Sequence, residues 1–340
     1  MYHSDEYRPS ADKKPVSVII CARNEAENLR DELPHFLNQN YRSFEIVVVN
    51  DNSSDQTGEV LLDFQNKYAN LKIANLCIGK LRAGKKGALS AGIAAAKNRV
   101  LLLTDSDCVP ATNQWIETMQ CSLSPDAEIG LAFGPYRKER GMLNRWIRYE
   151  TAQTAIQYFS LAIVGLPYMG VGRNLIYTKT IFIHKGGLSR HKNIASGDDD
   201  LFINAAADAS NVRVILDPAS FVYSDPEKSW ASYYNQKTRP FSTGRHYRTI
   251  HRLLLGLLAV SHVAHYVLGL LLIGMGRAVA MVMVLYLLRM AVVLIISGRI
   301  FARLRQTDLV SWLPLLDFSY PLYYLIFSPA VFFGNRKQWK

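Results

Sequence analysis

The stretch Arg99-Val100-Leu101-Leu102-Leu103-Thr104-Asp105-Ser106-Asp107 decides the fold. Residues 99–103 form an apolar run of strand length, stopped abruptly by a polar Thr-Asp-Ser-Asp end. A run of this kind reads as a strand buried on both faces. Before it, residues 88–97 are alanine-rich and read as a helix. The same alternation repeats toward the N-terminus. Residues 16–20 are β-branched and run into Cys21-Ala22-Arg23-Asn24-Glu25, and a helical pattern with Leu29, Leu33, Phe36 and Leu37 on one face follows. Residues 44–49 are stopped by Asn50-Asp51-Asn52-Ser53-Ser54-Asp55, a loop that feeds a helix at Thr57. Leu71–Asn75 reads as a further strand.

Short apolar strands alternating with helices predict an α/β fold with a mainly parallel sheet covered on both faces. Ligands of such sheets bind outside the carboxyl ends of the strands. Glu25, Asp51, Asp105 and Asp107 all follow strands and are expected on that one rim.

Beyond residue 140 the pattern loosens. Residues 149–164 suit an amphipathic helix, residues 165–172 a glycine-rich loop, and residues 174–177 a strand. Ser196-Gly197-Asp198-Asp199-Asp200 opens a helix at Leu201. Then the composition changes. Residues 253–275 carry no formal charge, and residues 278–297 carry only Arg289. Each is long enough to cross a hydrocarbon core of roughly 30 Å. Residues 309–333 are apolar but contain Pro314, Asp317, Pro321 and Pro329, so two or three spans fit.

The chain of 340 residues has a formal charge of +11. Its basic residues form no long patch with interleaved aromatics, which argues against a nucleic-acid partner. Many flank the apolar region, at Arg245, Arg248, Arg252, Arg299, Arg303 and Arg305, where cationic residues mark the cytoplasmic side of a membrane. The four cysteines show neither CxxC nor zinc spacing, as expected of reduced thiols in a cytosolic domain. The first fifteen residues hold no apolar core of a signal peptide, so the N-terminal domain is expected to stay in the cytoplasm.

Each acidic motif has a plain reading beside a functional one. Asp105 and Asp107 can address one divalent cation, or simply decorate a solvated turn. Asp51 can accept from a base or ribose, or cap the helix that follows; Glu25 has the same two readings. Gly84-Lys85-Lys86-Gly87 can present a cation to phosphate but lacks the spacing of a P-loop. Crowding among Asp198, Asp199 and Asp200 raises their proton affinity, which suits a general base, while acids at a helix start are ordinary.

Taken in order, Arg23-Asn24-Glu25, the Asp51 loop, Gly84-Lys85, Asp105-Ser106-Asp107, Gly197-Asp198-Asp199-Asp200 and Gln236-Lys237-Thr238-Arg239 resemble glycosyltransferase family 2 over about residues 15 to 245. The trailing spans resemble its membrane-bound branch. The resemblance implies an inverting, GT-A-type nucleotide-sugar transferase with Mg²⁺ or Mn²⁺. It implies nucleotide contacts at Glu25, Asp51 and Lys85, a nucleotide-sugar contact at Asp105, and a metal held by Asp107 with Asp105. Gln236 and Arg239 match a QxxRW-like motif near the diphosphate. The base is implied within Asp198, Asp199 and Asp200, with two alignments open. Pro240 stands where processive synthases carry tryptophan.

The expected organisation is a polar tail at 1–15, a cytosolic catalytic domain at 16–245 and a membrane region at 246–340. A UDP-sugar donor and a lipid-linked or membrane glycan acceptor are the expected partners, with a processive polysaccharide synthase as the alternative. The expected location is the inner (plasma) membrane.

Overall fold

The computed structural model describes residues 13–76, 84–189, 194 and 196–329, with the side chains of 239–242 excepted. The chain divides into two compact units. Among the described residues, one holds those up to Arg137 together with Gln157–Pro226; the other holds Lys138–Ile156 and those from Glu227 to 329.

The first unit begins with β1 (Val16–Ala22), α1 (Ala26–Leu37), β2 (Phe44–Asn50), α2 (Thr57–Lys67), β3 (Leu71–Asn75), α3 (Lys85–Ala95) and β4 (Val100–Asp105). These strands pair in parallel in the order β3-β2-β1-β4, each joined to the next by a helix. Parallel neighbours need such crossovers, and the helices cover the faces. Val18, Ile20, Ile46, Val48 and Leu102 are therefore buried, with Leu29, Leu33 and Phe36 of α1 packed over them. Cys21 registers with both Val49 and Asp105, so β1, β2 and β4 end at one level. That common end is the rim expected from the sequence.

Next come β5 (Cys108–Pro110), α4 (Trp115–Cys121), β6 (Ile129–Ala132) and α5 (Met142–Ile163), which runs from the second unit into the first. They are followed by β7 (Leu175–Thr178), α6 (Lys179–His184), α7 (Asp200–Ala206), β8 (Val212–Ile215) and β9 (Val222–Ser224). β7 enters the sheet antiparallel to β4, and β6 and β8 complete the seven-stranded order β3-β2-β1-β4-β7-β6-β8. Asn174 ties this half together. Its Nδ2 donates to the carbonyls of Phe133 and Ser220, and its Oδ1 accepts from Trp115 Nε1 at 3.1 Å. A fully satisfied buried amide of this kind fixes one packing. Helix α5 starts earlier than expected and lacks a single apolar face, because residues all around it are buried.

The second unit adds α8 (Trp230–Thr243), α9 (Thr249–Gly274), α10 (Val279–Arg303) and α11 (Leu313–Phe327) to the first part of α5. Helices α9 and α10 are long and apolar enough to cross a membrane, with mean hydropathy 1.9 and 2.7. Leu257, Leu268, Leu271, Val284, Leu288 and Ile295 stand exposed along them. The third apolar stretch forms a 3-10 turn at Thr307–Trp312 and then the 15-residue α11. Arg148 of α5 is buried and donates through both terminal nitrogens to Asp308, at 2.9 and 2.7 Å, while its Nε meets Gln306 at 2.8 Å. Glu150, also buried, accepts from Tyr323 at 2.9 Å and pairs with Lys237 of α8.

Candidate active site

The site lies in the first unit, at the carboxyl ends of β1, β2 and β4. Glu25 follows β1, and its backbone N–H donates to Thr57 Oγ1 at 2.9 Å. The neighbouring loops are tied by Ser54 N–H donating to Asn24 Oδ1 at 2.8 Å. Asp51, after β2, is buried and accepts from the backbone N–H of Gly84 at 3.3 Å. Asp51 thereby anchors the segment that starts α3.

Lys85, the first residue of α3, reaches across to β4. Its Nζ is 2.8 Å from Asp105 Oδ1 and 3.8 Å from Asp198 Oδ2. Burial alone would raise the Asp105 carboxyl, but the Lys85 ammonium, by charge and hydrogen bond, holds it below its ordinary value, and Arg173 adds to this. Burial would likewise lower Lys85; the charges of Asp105, Asp198 and Asp199 override it and hold the ammonium protonated. Asp107 is pushed up by the surrounding protein and by the like charge of Asp105.

The three acids of the second cluster play different local parts. Asp199 caps α7: its Oδ1 accepts from Asp200 N–H at 2.8 Å, and its Oδ2 accepts from Gly172 N–H at 2.6 Å. A Cβ on Gly172 would stand 3.1 Å from that Oδ2 and press on the carboxylate, so the absence of a side chain eases the approach. Burial, then the charges of Asp198 and Asp200, push Asp199 up to about 7. Asp200 turns to its own helix and accepts from Leu201 N–H at 2.7 Å. Asp198 and Asp199 both line, with Lys85, Thr104, Asp105 and Gly172, a pocket at this rim.

Carboxylate oxygens of Asp105 and Asp107 and the sulfur of Cys108 lie within 4.8 Å of one another. Two carboxylates at this spacing are a donor set suited to Mg²⁺ or Mn²⁺. Cys108 is fully buried and its thiol is held well above its ordinary value by burial and the two acids, so the oxygens are the natural ligands. Thr104 Oγ1, also in the pocket lining, is buried with no hydrogen-bond partner, a polar atom left for a ligand.

Sequence reasoning missed Arg173. Its guanidinium sits 4.3 Å over the Tyr136 ring, its Nη1 donates to Ser224 Oγ at 3.2 Å, and its Nε has no partner. It acts electrostatically on both Asp105 and Asp107. A Cβ at Gly134 would fall 2.6 Å from Arg173 Nε, so that glycine makes its room. The only local signal was an arginine directly after the glycine loop. Gln236 and Arg239 lie on α8, in the other unit; the side chain of Arg239 is outside the described residues.

A mainly parallel sheet, an acid pair at the end of its central strand and a lysine reaching that pair together define the GT-A class of nucleotide-diphospho-sugar folds. The family model described as "Glycosyl transferase family 2" matches residues 17–187, half of the chain, and the chain belongs to that family. Among curated proteins it is 29% identical over 236 residues to "Probable glycosyltransferase YdaM" of Bacillus subtilis, covering 66% of this chain and 54% of that one. It is 33% identical over 94 residues to "Poly-beta-1,6-N-acetyl-D-glucosamine synthase" of Staphylococcus epidermidis, covering 28% and 22%. The chain thus spans about half, or less, of these relatives. Among solved structures it resembles a mannosyltransferase from Pyrobaculum calidifontis in complex with GDP-Man and Mn²⁺, with TM-score 0.58, 16% identity and coverage of 92% and 88%.

Proposed function

We propose that this chain is a membrane-anchored inverting glycosyltransferase. It moves a sugar from a nucleotide-sugar donor, a UDP-sugar, to a hydroxyl of a lipid-linked or membrane glycan acceptor. One observation carries the reading: Lys85 lies between Asp105 of the β4 acid pair and Asp198 of the second acid cluster. A cation, Asp105 of the acid pair and further carboxylates of the second cluster thus line one small pocket. Glu25 and Asp51 lie on the neighbouring strand ends, where the nucleoside would be bound.

Asp105 and Asp107 would hold Mg²⁺ or Mn²⁺, which when bound neutralises charge on a diphosphate. Asp198 is our choice as general base. Asp198 and Asp199 both border the pocket, but Asp199 has both oxygens engaged by backbone N–H groups, and Asp200 is turned to its helix. Asp198 would take the acceptor's hydroxyl proton as the oxygen bonds to the anomeric carbon. The anomeric carbon–oxygen bond breaks in the same step, and its electron pair leaves with the nucleoside diphosphate. Lys85 and Arg173 supply positive charge where the diphosphate charge develops. Gln236 and Arg239 are assigned to the diphosphate on the family motif.

The similarity to a polysaccharide synthase over a short stretch supports a second reading, repeated addition of sugar. Pro240 in place of tryptophan and two candidate spans weigh against it. The test is a nucleotide-sugar screen with the purified chain and native membrane lipid, following released nucleoside diphosphate and product mass. A single added sugar supports the first reading and a ladder of products the second. Donor turnover with no sugar-bearing product overturns both.

A further inference from the structure

Helix α11 presents two unlike faces. Leu315, Phe318, Leu322, Leu325 and Ile326 are exposed and recur at helical spacing along one side. Leu316, Tyr320, Tyr323 and Phe327 form the opposite side and are buried. Two polar anchors fix that buried side. Asp317 pairs with Arg289 of α10 through both carboxylate oxygens, and accepts from Tyr266 of α9, with His262 Nε2 at 3.4 Å. One turn and a half later, Tyr323 donates to Glu150 of α5, and the Phe327 ring lies 6.1 Å from Tyr233 of α8.

These contacts set the path of the helix. It starts beside Arg289 and Tyr266, well inside the α9–α10 hairpin. It then passes His262, whose ring is 5.9 Å from Tyr320 and 6.2 Å from Tyr324. It ends at α8, the helix that precedes the start of α9. Along α9 the contacts step back from Tyr266 to His262, away from the hairpin tip at Gly276. The chain before α11 obeys the same geometry, since Val310 reaches Gly298 at 4.0 Å from a Cβ position there. A 15-residue helix is also only about 22 Å long, short of the roughly 30 Å hydrocarbon core.

We infer that α11 does not cross the membrane. It lies in the leaflet on the side where α9 begins and α10 ends, with its exposed apolar stripe against the acyl chains of that leaflet. This rests on the reading of α9 and α10 as spans. The apolar face of α11 continues their exposed surface, and the Asp317–Arg289 pair holds it at that depth. An ion pair inside hydrocarbon is stable only when both charges are satisfied locally, as they are here. The described residues then cross twice, and the basic residues Arg299, Arg303 and Arg305 lie on the side from which α11 enters.

The test uses the full chain. Phe318→Cys and Leu325→Cys are each labelled with bimane, with the labelled parent subtracted, in phosphatidylethanolamine–phosphatidylglycerol vesicles. Nitroxide lipids quench from a shallow and a deep position. Seven residues of helix span about 10 Å. The contacts step back by four residues of α9, so an in-leaflet α11 places Leu325 shallower than Phe318 by about 6 Å. Leu325 as deep as or deeper than Phe318 marks a helix still descending through the bilayer, and that result overturns the inference. A reporter fused after Lys340 gives the second readout: it must report the side opposite to one inserted after Gly276. Agreement of the two reporters overturns the inference. A chain that fails to sediment with vesicles at all instead sinks the underlying reading of α9 and α10 as spans.

Discussion

The backbone N–H of Gly172 donates to Oδ2 of Asp199 across 2.6 Å. That bond joins the glycine loop before β7 to the start of α7, and it separates the roles of two adjacent acids. Both border the pocket, but Asp199 is held by backbone on both oxygens, whereas Asp198 Oδ2 faces Lys85.

Asp198→Asn is predicted to lower sugar transfer by roughly 10²-fold or more, the usual scale of general base catalysis, with nucleotide affinity and melting temperature close to the parent. Asp199→Ala removes both acceptors and should lower stability by about 1 kcal/mol, as loss of a helix cap does. Turnover assays beside thermal melts distinguish the two. Loss of transfer in Asp199→Ala with full activity in Asp198→Asn would move the base to Asp199.

The raised Asp199 carboxyl gives a pH signature. Its folded value near 7 exceeds the ordinary carboxylate value of 3.8, so the folded protein holds this proton more tightly than the unfolded chain. Its contribution to stability is complete below about pH 4 and is lost as pH rises through about 7. Melting temperatures of parent and Asp199→Asn, compared from pH 4 to 8, should show the parent losing ground over that window. A constant gap would mean that Asp199 titrates normally.

Asp308 titrates in the opposite sense. Hydrogen bonds and charge from Arg148, then Lys138, hold it at about 2. Its stabilisation is therefore full above the ordinary carboxylate range and is lost as pH falls toward 2. Asp308→Asn leaves the buried Arg148 guanidinium without its counter-charge and should destabilise the chain by about 1–3 kcal/mol, Asp308 being partly solvated. Denaturation in detergent at pH 7 measures the loss; an unchanged midpoint would show Gln306 alone to be a sufficient partner.

Lys85→Met leaves Asp105 and Asp198 facing each other without their shared cation. Binding of nucleoside diphosphate in the presence of Mn²⁺, followed by calorimetry, should weaken by about tenfold or more, the loss of one charged hydrogen bond to phosphate. Arg173→Met should preserve nucleotide binding better than Lys85→Met while lowering turnover, if its charge serves the developing diphosphate. Parent-like turnover in Arg173→Met would leave it a residue that only packs over the Tyr136 ring.

Arg289 and Asp317 suit a double-mutant cycle. Asp317→Leu strands a guanidinium among apolar helices, and breaking a buried pair in this way costs about 3–5 kcal/mol. Arg289→Leu combined with Asp317→Leu removes both charges and should recover much of that loss, read as the midpoint of thermal aggregation in detergent. Additive losses would deny the coupling.

Much of the architecture was legible because its signals are local. Apolar runs at β1, β2 and β4 end where polar residues begin, and a parallel sheet puts those ends on one rim whatever the rest of the chain does. The same locality exposed the acid pair Asp105 and Asp107, and the two long apolar helices α9 and α10. Long-range pairing decided the rest. The antiparallel entry of β7, the distinct roles of Asp198, Asp199 and Asp200, and the approach of Arg173 to the acid pair depend on residues brought together from distant loops. Arg148 meets Asp308 across 160 positions of sequence, and Glu150 meets Tyr323 across 173. Such contacts leave no periodic trace, because each partner alone looks like an ordinary polar residue in a helix or turn. Only the folded chain shows that these groups are buried, and burial is what turns a nearby opposite charge or hydrogen bond from a weak surface contact into a fixed point of the structure.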